Sequence, residues 1–152
     1  MSSNRLHAVI DASVGIKLFI NEPFSEIAHA LFEKLTDDSP AEFFVPDLFY
    51  IECTNILLKY MRRFGRSLED SRADLADLNL LAIKSTPTAD LMEDALVLAN
   101  EKNLTAYDAY YAVLAKRMDI VLITADEPMV KAIDWAVWLG DIKTRSNTSS
   151  PH

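Results

Sequence analysis

The 152 residues, half of them hydrophobic, have the length of one domain and enough apolar content to bury a core, which suits a single domain over 1–143. A formal net charge of −8 argues against broad nucleic-acid binding by phosphate neutralisation, while leaving room for a local basic groove, for carboxylates clustered around a cation, or for a basic partner. No apolar run is long enough to span a membrane and MSSNRLHAVID lacks the layout of a secretion signal, so a cytoplasmic protein is expected; Cys53, alone, forms no internal disulfide, and His7, His29 and His152 are too dispersed for a zinc site.

Taken in chain order, HAVI is a short strand, followed by SVGIKLFI and SEIAHALFEKL, both with apolar residues at helical spacing. EFFVP is a second strand, stopped by Pro46. DLFYIECTNILLKYMRR then reads as a long amphipathic helix capped by Asp47 and ended by Gly65. Ser67-x-x-Asp70 opens the next helix with a capping box, and LLAIKST supplies a third strand before Pro87. ADLMEDALVLANEKN and AYDAYYAVLAKRM are helices, DIVLIT a strand, EPMVKAI a short helix and WAVWL a last strand. Helices that alternate with short, two-sided apolar strands predict an α/β fold, a three-layer α/β/α sandwich around a mostly parallel sheet. The polar end, TRSNTSSPH (144–152), is expected to fray.

In open parallel sheets the ligand crevice lies outside the carboxyl ends of the strands, where strand order reverses. Asp11 stands at the carboxyl end of the first strand, and Asp126 lies two residues past the fourth strand's last threonine, Thr124. Each also suits a plainer role: Asp11 and Ser13 as helix caps, Asp126 as an N-cap ahead of a first-turn proline, and Asp108 as part of a Thr-x-x-Asp capping box. Glu52 differs, because Leu48 and Ile56 at i−4 and i+4 place it beside an apolar stripe, where a carboxylate needs a partner. Several buried acids repel one another unless protons or a divalent cation neutralise them. Oxygen ligands without histidine suit Mg²⁺ or Mn²⁺, which can activate water for an in-line displacement at a phosphodiester.

On these residues the chain resembles the PIN-domain nucleases, and within them the VapC-type toxins of toxin–antitoxin pairs. VIDASVGIKLF, PDLFYIECTNILLK, LTAYDAYYAVLAK and VLITADEPM are similar, in order, to that family's four acidic motifs. The resemblance implies that Asp11, Glu52, Asp108 and Asp126 hold the metal, with Ser13 and Thr124 as supporting hydroxyls. Asn55, one turn past Glu52, is placed to orient a carboxylate or a water. It further implies metal-dependent endoribonuclease activity, an antitoxin partner bound near the site, with an arginine of its basic tail among the acids, and a homodimer paired through the helices at FSEIAHALFEKL and from Asp47 onwards.

Lys59, Arg62, Arg63 and Arg66 gather at the end of the helix that carries Glu52; they suit RNA phosphates, or else a solvated helix terminus favourable to the dipole. Lys17 is a weaker candidate of the same kind. Tyr107, Tyr110 and Tyr111 suit base stacking or, for at least one of them, the core. A rival reading keeps the fold but silences it as a protein-interaction module whose acids only cap helices. A receiver-type phosphoryl-transfer protein lacks support, with a single acid after the first strand and no lysine after the last. A dinucleotide enzyme is excluded by three glycines and no G-x-G-x-x-G.

Overall fold

The computed structural model of the chain describes residues 5–143; the expected tail at 144–152 lies outside them. Five strands, β1 (His7–Ile10), β2 (Glu42–Pro46), β3 (Ile83–Thr86), β4 (Val121–Thr124) and β5 (Ala136–Trp138), form one sheet in the order β3-β2-β1-β4-β5. Every pairing is parallel, so the sheet is wholly parallel where the sequence pointed only to a mostly parallel one. Successive side chains on a strand face opposite ways. Ala8, Val9 and Ile10, and likewise Leu122 and Ile123, are all fully buried, so both faces of the central strands are covered. That is the sandwich the unbroken apolar strands require.

Among the described residues seven helices supply the cover: α1 (Ala12–Gly15), α2 (Ser25–Glu33), α3 (Leu48–Phe64), α4 (Leu68–Leu80), α5 (Met92–Lys102), α6 (Ala106–Met118) and α7 (Glu127–Ala132). The stretch SVGIKLFI does not run as one helix: α1 is a single turn that tightens into a 3₁₀ turn at Ile16–Leu18. α3 ends at Gly65, whose φ of 74° puts it in the left-handed region that glycine enters freely, and its amide caps the Met61 carbonyl. Asp47 does not cap α3 with its side chain. Its Oδ1 instead accepts the Thr88 amide at 3.1 Å, tying the β2–α3 corner to the loop after β3. Ser67 and Thr105 do cap their helices, accepting the amides of Asp70 and Asp108.

α2 spends Ala28, Leu31 and Phe32 in the core, and α3 spends Leu48, Phe49, Cys53 and Leu57, so little of α2's apolar face is left over. Cys53 is fully buried and burial pushes its thiol up to about 12, which makes it an inert core residue. Gly15 marks the tightest contact near α1: a Cβ there would stand 2.7 Å from the Phe49 ring, which is itself fully buried. Gly15→Ala should therefore cost about 1–3 kcal/mol through overpacking, outweighing the ~1 kcal/mol that alanine gains in a helix. Urea unfolding measures it; a midpoint at or above that of the wild type would mean that Phe49 has room to move.

Candidate active site

Strand order reverses between β1 and β4, the two central neighbours from which β2-β3 and β5 run outward in opposite directions. Asp11 follows β1 directly and Asp126 lies two residues past β4, so both acids sit at the switch point. α3 leaves the carboxyl end of β2 and brings Glu52 back over the same edge, and α6 begins there with Asp108 in its first turn. Asp11, Glu52, Asp108 and Asp126 thus line one depression of about 330 Å³, together with Ser13, Asn55 and Tyr111. All four acids and Asn55, read separately from the sequence, are brought together by the fold.

Helix capping accounts for little of them, the Val14 amide near Asp11 being the one backbone donor that acts on these carboxylates. Asp11 and Asp126 occupy N-cap positions, yet neither side chain makes a capping hydrogen bond, and at Asp108 the cap is made by Thr105. The Ser13 hydroxyl donates to Asp11 Oδ1 at 2.5 Å and accepts the Ala125 amide at 3.0 Å, so one side chain locks the β1 and β4 loops together. Thr124 Oγ1 accepts the Asp126 amide at 3.0 Å and its hydroxyl also faces Asp11.

Electrostatics bind the four into a unit. Burial pushes Asp11 up to about 6, opposed by the Ser13 and Thr124 hydroxyls and reinforced by the charge of Asp108. Glu52 is raised by burial first, with Tyr111 pulling it down and Asp108 pushing it up; Asp108 is raised by burial and then by Asp126. Asp108 therefore links the set: its charge acts on Asp11 and Glu52, and that of Asp126 acts on it. Buried acids that repel one another hold an electrostatic debt that a cation would relieve. The donor set is oxygen only, as hard cations prefer, and among the described residues no three of these groups converge into a ready cage. It is the oxygen chemistry of the donors that suits Mg²⁺ or Mn²⁺, which keep several waters and take one or two carboxylates directly.

Tyr111 is the tyrosine that takes the core alternative the sequence left open, and its contact with Glu52 is what the sequence did not give. Its ring is 1% exposed, which removes it as a base-stacking platform, and its hydroxyl donates to Glu52 Oε1 at 2.6 Å. The available signal was its spacing, three residues after Asp108 and so on the same helical side. It is the partner that Glu52, beside its apolar stripe, required. The basic candidates divide. Lys59 and Arg63 line a second depression that adjoins the first, whereas Arg62 lines neither. Arg66 is held by Asp74 of α4 through its Nε at 3.1 Å and its Nη2, so its charge is spent on the α3–α4 hairpin and not free for phosphate. Lys17 is likewise no free cation: it is buried and pairs with Glu22 at 2.8 Å.

Residues 8–134 match the family described as PIN domain. Over 126 residues, 81% of this chain and 92% of the other, the sequence is 31% identical to Ribonuclease VapC3 of Pyrobaculum aerophilum. The fold is similar to that of PAE2754 from the same organism, with a TM-score of 0.69 and 25% identity over 89% of this chain and 85% of that one. It is also similar to a chain of a toxin–antitoxin complex from Klebsiella pneumoniae, with a TM-score of 0.64 over 89% of this chain and 99% of that one; at 18% identity this likeness concerns the fold.

Proposed function

The chain belongs to the PIN-domain family, and from that premise we propose that it is a VapC-type endoribonuclease toxin, hydrolysing RNA phosphodiester bonds at Asp11, Glu52, Asp108 and Asp126 with Mg²⁺ or Mn²⁺. The observation that carries this reading is that four acids from four separate segments line one depression at the switch point, three of them with raised pKa values. A bound divalent cation supplies the positive charge that lowers the pKa of a water and steadies the leaving 3′ oxygen.

The chain's own residues do the rest. Ser13 fixes the Asp11 carboxylate by donating to its Oδ1. Tyr111 orients Glu52, and Asn55, exposed one turn further along α3, offers an amide to a water or a phosphate oxygen. Asp126 is set by the Thr124 hydroxyl through its own amide. Lys59 and Arg63, lining the adjoining depression, suit RNA phosphates on one side of the cut. The same acids suit an arginine from a basic antitoxin, which would inhibit by filling the site. A homodimer is proposed on family likeness, through the helices the sequence pointed to; α2 keeps little free apolar face, while α3 still offers Ile51, 71% exposed.

The test is cleavage of total RNA by the purified, antitoxin-free protein with Mg²⁺, with Mn²⁺ and in EDTA, beside calorimetric titration of each metal. Cleavage should require metal and fall to background in Glu52→Gln, a substitution that disturbs no helix cap. A folded wild type that neither binds metal nor cuts RNA would make this a silent interaction module.

A further inference from the structure

The depression lined by Lys59 and Arg63, about 350 Å³ in volume, shares Ser13, Ile56 and Asp126 with the carboxylate depression, so the two form one continuous trough. Its outer wall is the last turn and a half of α3, where Lys59, Tyr60, Arg63 and Phe64 face it. Tyr60 is held firmly: its hydroxyl donates to one oxygen of Glu22, whose other oxygen accepts from the buried Lys17. Phe64 leans on Tyr60 with ring centroids 5.3 Å apart and planes tilted by 43°, yet 71% of it is exposed. So exposed a phenyl ring contributes little to the core. Lys17 is neutralised by Glu22, whereas Lys59 and Arg63 have no ion-pair partner among the described residues.

An aromatic ring propped on a fixed neighbour, in a trough also lined by two cations without an ion-pair partner and running into the four acids, has the chemistry of single-strand recognition, in which a base stacks on the ring and its phosphates meet the cations. We propose that this trough is a nucleotide subsite of the ribonuclease, in which a base adjacent to the cut stacks on Phe64 while Lys59 and Arg63 hold the phosphates that flank it. The inference rests on the endoribonuclease reading above. The two cations favour a polyanion over the basic tail of a protein, and a base already stacked inside a duplex cannot reach Phe64, so the preferred substrate is an unpaired stretch or a loop.

The experiment separates binding from cutting. Fluorescein-labelled oligouridine and oligoadenine decamers are titrated in EDTA, across a range of salt, against the wild type, Phe64→Ala and Lys59→Gln/Arg63→Gln, with circular dichroism to verify each fold. Phe64→Ala should weaken binding about 10-fold at every salt concentration. The double variant should flatten the slope of log Kd against log salt by about 1.4, the share of two phosphate contacts on a single strand. A decamer carrying 4-thiouridine should photo-cross-link to the peptide that contains Phe64. Absent wild-type binding, unchanged affinity in Phe64→Ala, or adducts confined to other peptides would overturn the subsite and leave the trough to a protein segment. Binding that follows the expected pattern with no cleavage on adding Mn²⁺ would sustain the subsite and overturn the nuclease reading; cleavage by a protein whose decamer binding ignores Phe64 would do the reverse.

Discussion

Replacing Asp11 by asparagine is expected to silence RNA cleavage and, in the same molecule, to make the metal-free fold more stable. Asp11 is 7% exposed and pushed from an ordinary 3.8 up to about 6, by burial first and then by the charge of Asp108, with the Ser13 and Thr124 hydroxyls opposing. The folded chain thus holds this proton more tightly than the unfolded one. Below the ordinary value both states are protonated and nothing is lost; as pH rises from 3.8 toward 6 stability falls, and above that the penalty is complete, about 3 kcal/mol. Asparagine has no charge to bury, and its amide oxygen still accepts from the Ser13 hydroxyl. Urea unfolding in EDTA at about pH 7.5 should therefore find Asp11→Asn more stable by about 3 kcal/mol, with the gap closing near pH 4. Adding Mg²⁺ should stabilise the wild type and leave the variant unmoved, because a ligand that binds only the folded state stabilises it. Equal stability at neutral pH would show that the carboxylate carries no burial penalty. Wild-type cleavage by the variant would remove Asp11 from the site.

This opposition between stability and function explains which parts of the molecule the sequence disclosed. HAVI, EFFVP and DIVLIT are apolar on both faces, so their burial in a covered parallel sheet follows from composition, and Gly65 and the capping serine and threonine punctuate the helices by local chemistry. Asp11 and Asp126 were legible for a topological reason: each follows a strand, and parallel strands deliver their carboxyl ends to one edge. Glu52 stood out as a charge beside an apolar stripe. What no local pattern states is which polar side chains the fold sets against one another. Ser13 looks like a helix cap until the fold sets it against Ala125, and Arg66 looks like part of a basic cluster until α4 folds back and presents Asp74. Lys17 is similar, since its neutralisation depends on Glu22 and on where α3 holds Tyr60. Such contacts decide which charges are free, and they exist only in three dimensions.

Tyr111 is the sharpest case, and Tyr111→Phe the second substitution expected to have a large effect. Phenylalanine keeps the buried ring, so the α6 core should remain filled and the chain folded. What it removes is the hydroxyl that donates to Glu52 Oε1 at 2.6 Å, from a phenol that burial and Glu52 together hold in its protonated, donating form. Glu52 is already raised by burial and by Asp108, with Tyr111 the one group pulling it down, so its pKa should climb further in the variant. A metal ligand must be deprotonated, and the pH at which Mn²⁺ binding sets in should shift upward. Loss of a group that orients a ligand typically costs about 10- to 100-fold in metal affinity or activity, and that is the fall expected in both. The two substitutions should not add: because Tyr111 acts through Glu52, the double variant Glu52→Gln/Tyr111→Phe should bind Mn²⁺ no more weakly than Glu52→Gln alone. Calorimetric titration across pH distinguishes this from a structural hydroxyl, which would lower stability while leaving the pH of half-maximal binding where it was.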